Sequence, residues 1–209
     1  MAETSPQWLN IALLPHEQCG EVLQDMSDSI RDSSISLGHQ HLSHVSVYQA
    51  QFTNIETIRG VIETMREKLA PFTLSMKEFA TPGAGFIFAD TDLPRALGTL
   101  HEYMLQALAP HRIPMTEEAL TQLSTSRPAQ QIENLRQYGM ALAGTHYRPH
   151  ATIGLVHPGA ESEVLDALSQ KFALPRELYC NRLAILDCDA ANGSAKTVHT
   201  EWQLTTLRD

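Results

Sequence analysis

The chain is poor in basic residues: 15 Lys and Arg stand against 24 Asp and Glu, a net charge of −9 over 209 residues. Proteins that grip a long duplex or single strand carry a basic stripe, because neutralising phosphates supplies much of the affinity. Long nucleic acid is thereby excluded as the main partner, and a phosphate compound is expected to be small or held by its end. Cysteine is also scarce. Cys19, Cys180 and Cys188 are odd in number and show no CxxC spacing, which argues against a disulfide framework and against structural zinc and leaves buried thiols. Uncharged apolar runs long enough to cross a bilayer are missing. The start "MAETSPQWLN" has no basic segment leading into an apolar one. A cytoplasmic protein without a membrane partner is expected. No low-complexity segment or flexible linker divides the chain, so residues 1–209 are read as one domain, large enough to bury a core without staples.

What the sequence does contain is alternating and helical apolar patterning. "WLNIALLP" reads as a buried strand closed by Pro15, followed by a helix with Val22, Leu23, Met26 and Ile30 at helical spacing. "HVSVYQAQF" alternates as a strand. "NIETIRGVIETMREKLAP" predicts an amphipathic helix capped by Asn54 and stopped before Pro71. "FTLSMKEFA" and "GAGFIFAD" predict two strands around "TPG", and a helix with Pro94 in its first turn follows. Residues 115–144 are helical and polar, broken by "STSRP", and read as an insertion. "PHATIGLV" predicts a strand, "ESEVLDALSQKFA" a helix, and "ELYCNRLAILDCD" with "TEWQLTTL" a closing strand pair.

Within this order one short pattern occurs twice. "HVSV" holds His44 and Ser46, and "HATI" holds His150 and Thr152, each on a strand followed by a helix and two further strands. Side chains alternate along a strand, so residues i and i+2 share a face. Val45 and Val47 then face one side, with His44, Ser46 and Tyr48 opposite. Ala151, Ile153 and Leu155 face one side, with Arg148, His150 and Thr152 opposite. Two copies of such a unit packed together predict an α+β fold that is bilobal and pseudo-symmetric, with two antiparallel sheets flanked by outer helices and a central cleft. Strands meeting at that cleft would bring two imidazoles and two hydroxyls to one point. Imidazole both takes and gives a proton near neutrality. A base and an acid on opposite sides of a phosphorus atom suit in-line displacement, while hydroxyls can donate to the non-bridging oxygens. This chemistry needs no metal and no cofactor.

The pair of motifs resembles the signature of the two-histidine (2H) phosphoesterases: histidine, any residue, then threonine or serine between apolar residues, written twice. The likeness covers nearly the whole chain, taking in "WLNIALLP", "RPHATIGL" with its Arg-Pro prefix, and the final strands with Trp202. It departs at Ser46, where threonine is commoner, and at the insertion 115–144. The resemblance implies a phosphodiesterase acting on 2′,3′-cyclic phosphates of nucleotides or RNA ends, with 2′-5′ RNA ligation as the reverse reaction. It makes His44 and His150 the proton-transfer pair, with Ser46, Thr152, Arg148 and Tyr48 as candidate phosphate contacts. Which histidine is the base stays open, His150 being the first candidate. A non-catalytic nucleotide or RNA-end binding module is the alternative. A monomer is expected.

Other residues carry weaker signals. His39, His41 and His44 in "HQHLSH" invite a metal reading, yet they do not share one strand face and no acidic ligand completes the set. His146 lies in phase with His150 and is a further proton-transfer candidate. "PGAGF" precedes a strand, not a helix, and reads as a turn instead of a phosphate loop. Phe86 and Phe88 can pack in the core or meet a nucleobase.

Overall fold

The computed structural model describes residues 5–30, 42–83, 85–189 and 195–205. Seven strands occur there: β1 (Gln7–Pro15), β2 (Val45–Phe52), β3 (Phe72–Gly83), β4 (Phe86–Thr91), β5 (His150–Leu155), β6 (Glu177–Cys188) and β7 (Ala195–Gln203). Six α-helices accompany them: α1 (Glu17–Ser29), α2 (Ile55–Met65), α3 (Arg95–Leu108), α4 (Glu117–Ser124), α5 (Ala129–Tyr138) and α6 (Glu161–Lys171). The fold is α+β with every strand pairing antiparallel, in the order β1-β2-β5-β4-β3-β6-β7, and β1 also pairs with β6. The chain thus forms a four-stranded group, β2-β1-β6-β7, and a three-stranded group, β5-β4-β3. The groups join at two seams, β2 with β5 and β3 with β6.

Both seams lie on one pseudo-two-fold axis. At the first, Val45 is opposite Ala151, the residues that follow the two motif histidines. At the second, Phe72 pairs with Cys180 and Ser75 with Glu177, so each half offers equivalent positions to the other. Helix α2 begins 11 residues after His44 and α6 begins 11 residues after His150. Strand β1 runs between β2 and β6 as β4 runs between β5 and β3. The repeated unit is therefore strand, helix, motif strand, helix, strand: β1-α1-β2-α2-β3 and β4-α3-β5-α6-β6, with β7 added at the edge. The expected repeat of a motif strand, a helix and two strands cut this unit at the wrong place, because β1 and β4 belong with the motif strand that follows them.

Packing across the axis explains why the halves form one body. Helix α1 lies on β5 of the other half, and α3 lies on β2. One continuous core contains Leu9, Ile11 and Leu13 of β1, Val45 and Val47 of β2, Ile87 and Ala89 of β4, and Ala151 and Ile153 of β5, all without solvent exposure. Gly154 sits under α1, where a Cβ would come within 2.3 Å of Ile30 Cδ1. Local signals act as the sequence suggests. Asn54 caps α2 by accepting from the Glu56 N–H at 2.9 Å, and Thr116 caps α4 by accepting from Ala119 N–H at 3.2 Å. The last strand begins earlier than expected, at Ala195. All three thiols are free; burial pushes those of Cys180 and Cys188 up to about 12. No helix among the described residues is long and apolar enough to cross a membrane.

Candidate active site

The site forms where β2 meets β5. The residues on either side of an opposed antiparallel pair stand across from each other on the other face. Continuing the register from Val45 and Ala151 by one residue sets His44 across from Thr152 and Ser46 across from His150. The four motif side chains therefore rise from one face in a rectangle, with the histidines at diagonal corners. Strand rise and spacing put their Cα atoms on the order of 10 Å apart. The seam is only one pair long, so the strands diverge beyond it.

Each imidazole is fixed by the same backbone contact. His44 Nδ1 lies 2.6 Å from Leu42 O, and His150 Nδ1 lies 2.7 Å from Arg148 O, in both cases the carbonyl two residues earlier. A carbonyl only accepts, so Nδ1 carries the proton in both rings and Nε2 carries the lone pair of the neutral imidazole. Pre-setting the tautomer in this way is the role an orienting group plays beside a general base.

Beyond the motifs, the halves diverge. Both β1 and β4 carry a register shift at the same place, after Ile11 against β2 and after Ile87 against β5. Asn10 and Ala12 of β1 thereby correspond to Phe86 and Phe88 of β4. Asn10 is wholly buried and its Nδ2 lies 3.1 Å from His44 Nε2 and 2.7 Å from Ser46 Oγ. In the other half the Phe88 ring stacks on His150 with centroids 3.7 Å apart and planes 21° from parallel, and Phe86 lies 5.8 Å beyond. The Phe88 ring covers one face of the half-buried His150, and this partial desolvation pulls its pKa below the usual imidazole value, opposed by the hydrogen bond to Arg148 O and the charge of Asp90.

Arg148 does share the neighbourhood of His150, but its guanidinium is held by Asp90. Both Nε, at 2.8 Å, and Nη2 donate to Asp90 Oδ2. The Asp90 side chain is 8 % exposed and the Arg148 side chain 46 %, so the pair lies with its arginine end towards solvent. Thr91 pins the approach to the second motif, its N–H and Oγ both donating to Pro149 O at 3.2 Å.

Tyr48 departs from expectation. It is fully buried, donates its hydroxyl to Tyr138 O at 2.7 Å, and packs edge-on against Phe52. It cannot contact a phosphate from there. The cause is a β-bulge: Ala12 pairs with Ser46 and Ile11 with Tyr48, so Val47 is an extra residue and the alternation reverses after it. The same bulge in β5, at Ile153, turns Gly154 inward and leaves Leu155 half-buried, not on the core face. His146 lies in a 3-10 turn (Gly144–His146), with Nδ1 3.3 Å from Thr145 Oγ1. His39 and His41 lie outside the described residues, and among those described no three His, Cys, Asp or Glu side chains are grouped to hold a metal ion.

Four supporting residues escaped the motif reading: Asn10, Asp90, His101 and Tyr147. His101 is buried in α3, with Nδ1 2.6 Å from Val47 O, while its Nε2 accepts from the Gly144 N–H at 3.0 Å. Burial keeps it neutral by lowering its pKa. Its ring stacks on Tyr147 at 3.8 Å, and the Tyr147 hydroxyl donates to Ser46 O at 2.7 Å. The bulge carbonyls of the first motif are thus tied to the turn that leads into the second. The insertion feeds this turn: Asn134 of α5 donates to Ala141 O at 2.9 Å and Ala143 O at 3.2 Å. Sequence signals existed for two of them. Asn10 is the lone polar residue in the apolar run "WLNIALLP", and His101 sits in the buried stripe Leu97, Leu100, Met104, Leu105 and Leu108.

Solved structures share this architecture. Escherichia coli LigT complexed with 3′-AMP matches with a TM-score of 0.53 and 12% identity, over 98% of this chain and 100% of that one. The same protein complexed with phosphate matches at 0.51 and 13%, over 98% and 100%. A crystal structure described as a phosphoesterase matches at 0.52 and 12%, over 96% and 99%. At these identities the likeness is one of fold, and the fold is the one the paired motifs led us to expect. No family model matches the chain, and no curated protein matches it by sequence.

Proposed function

We propose that this protein is a metal-independent phosphodiesterase of the two-histidine type, opening 2′,3′-cyclic phosphates of nucleotides or RNA ends. One observation carries the reading: the two His-x-Ser/Thr motifs straddle the pseudo-two-fold axis, and each presents an Nε2 whose tautomer a backbone carbonyl has set. A phosphorus centre bound on that axis meets an imidazole on each side. One neutral imidazole takes a proton from water as its oxygen attacks phosphorus. The opposite imidazolium gives its proton to the ribose oxygen as the P–O bond to it breaks. The product is a monoester, and each histidine ends in the protonation state the other began in. Ser46 and Thr152 donate to the non-bridging oxygens, and Arg148, steered by Asp90, adds positive charge at the rim. With a ribose 5′-hydroxyl in place of water as the nucleophile, the same two transfers open the ring to a 2′-5′ linkage, the 3′ oxygen leaving with the proton of the imidazolium. The net charge of −9 favours small or end-held substrates and therefore hydrolysis. LigT structures with 3′-AMP and with phosphate on the same fold support a nucleotide phosphate as the ligand class.

The test is incubation of the purified protein with each 2′,3′-cyclic nucleotide in the presence of a chelator, with monoester as the readout. Turnover is expected. Binding without product would replace this reading by a nucleotide-binding module, and activity abolished by the chelator would replace it by a metallohydrolase.

A further inference from the structure

The polar residue buried in the first strand has an unusual placement. Asn10 lies among Leu9, Ile11, Ala12 and Leu13, all with no exposure, and a carboxamide is costly to bury unless hydrogen bonds repay its lost hydration. Its Nδ2 is shared between the two functional groups of the first motif, His44 Nε2 and Ser46 Oγ. Its Oδ1 is buried and meets no hydrogen-bond donor among the described residues. The amide end that is satisfied is therefore the one facing the site. At the corresponding position of the other half stands Phe86, which offers no polar group.

We propose that Asn10 is a positioning residue that sets the proton inventory of the first half-site, holding His44 neutral by donating to its Nε2 lone pair and leaving the Ser46 hydroxyl proton free to donate. Leu42 O obliges Nδ1 to carry hydrogen. A second hydrogen on Nε2 would confront the Nδ2 hydrogens of Asn10 donor to donor, so the arrangement accommodates imidazole and opposes imidazolium. The same Nδ2 occupies a lone pair of Ser46 Oγ, so the hydroxyl hydrogen has no call upon it from Asn10 and turns outward. One carboxamide thus prepares an acceptor and a donor together. Among the described residues, the charged and titratable groups on the neighbouring strands have other partners. His150 and Arg148 lead β5, Asp90 of β4 is taken by Arg148, and Asp187 of β6 is taken by His199 and Thr197. The inference gives His44 the neutral state from which a base starts, against the initial preference for His150 in that role. It rests on the proposed phosphodiesterase only for the use to which base and donor are put.

Histidine-ring NMR on labelled protein without substrate tests it, comparing the wild type with Asn10→Ala and Asn10→Asp. In the wild type His44 is expected as the neutral Nδ1–H tautomer at pH 7.5. In Asn10→Ala its protonation midpoint should rise by about one pH unit as the opposing donor goes, while the midpoint of His150 stays in place. In Asn10→Asp, a near-isosteric change that preserves packing if the alanine variant does not fold, the rise should be larger. A His44 midpoint that is unmoved in both variants, or that falls in Asn10→Ala, overturns the proposal, as does an Nε2–H tautomer in the wild type. In turnover assays Asn10→Ala should lower kcat about tenfold with KM nearly constant and carry the acidic limb upward with His44. Midpoints that move as stated in a protein that turns over no cyclic phosphate would leave Asn10's role standing and remove the proposed reaction.

Discussion

In the first half-site the strand beside the motif presents Asn10 and Ala12, and in the second the matching strand presents Phe86 and Phe88. The backbone of the two halves repeats even to the bulge, and so does the carbonyl that fixes each imidazole. What differs is the medium around each ring. His44 meets a hydrogen-bond donor, whereas His150 lies against an aromatic face with a half-exposed ion pair alongside. Where the second half has Asp90 and Arg148, the first has Leu14 and Leu42, which join a small apolar cluster with Ala12, Ala184 and Leu186. Hydrogen-bonding geometry copies readily because any sequence can satisfy it. Proton affinity depends on side chains, and a pair of identical rings can be driven to unlike tasks by unlike neighbours.

The largest break in this comparison comes from deleting either ring. His44→Ala and His150→Ala should each lower turnover of a 2′,3′-cyclic nucleotide by about a thousandfold, with the fold intact by circular dichroism. Retention of most activity in one of them would end the two-histidine account. Asp90→Asn frees Arg148 from its charged partner, and we expect KM to rise about tenfold with kcat little altered; an unchanged KM would place Arg148 outside the substrate's reach. Phe88→Ala admits water to His150, so its midpoint should climb back towards 6.5 while that of His44 stays put, read by ring NMR.

Two further expectations concern stability. His150 and His101 are both pulled below the ordinary imidazole range by burial, so as pH falls through about 6.5 the unfolded chain takes up protons that the folded one refuses. The stabilisation is present above that pH and lost below it, and thermal midpoints should fall by a few degrees between pH 7.5 and 5.5. A flat profile would contradict the burial argument. The smallest effect is expected from Tyr48→Phe, which loses the bond to Tyr138 O: about 1 kcal/mol of stability by denaturant titration and no change in kcat. A fall in kcat would return Tyr48 to the site.

Much of this site was legible before folding. His44, Ser46, His150 and Thr152 are written as two matched strings, and alternation alone places each pair on one face. Arg148 was legible as a neighbour of His150, though not as the partner of Asp90, because the separation of 58 positions is closed only by the β4–β5 pairing. Tyr48 failed for a different reason. Alternation counts residues, and a bulge adds one that no local residue type announces, so every assignment beyond it is inverted. The repeat unit was misplaced because β1 and β4 differ in sequence while matching in register.

The sequence by itself determined the two matched motif strands, most of the helices with the Asn54 cap, and the apolar patterning of the core, since each follows from residue spacing of a few positions. Only the tertiary structure decided that the halves meet at Val45 and Ala151, that a carbonyl sets each tautomer, and that Asn10 and Phe88 give the rings different surroundings. Those depend on strand pairings between residues tens of positions apart, and their free energies exist only once the chain has closed.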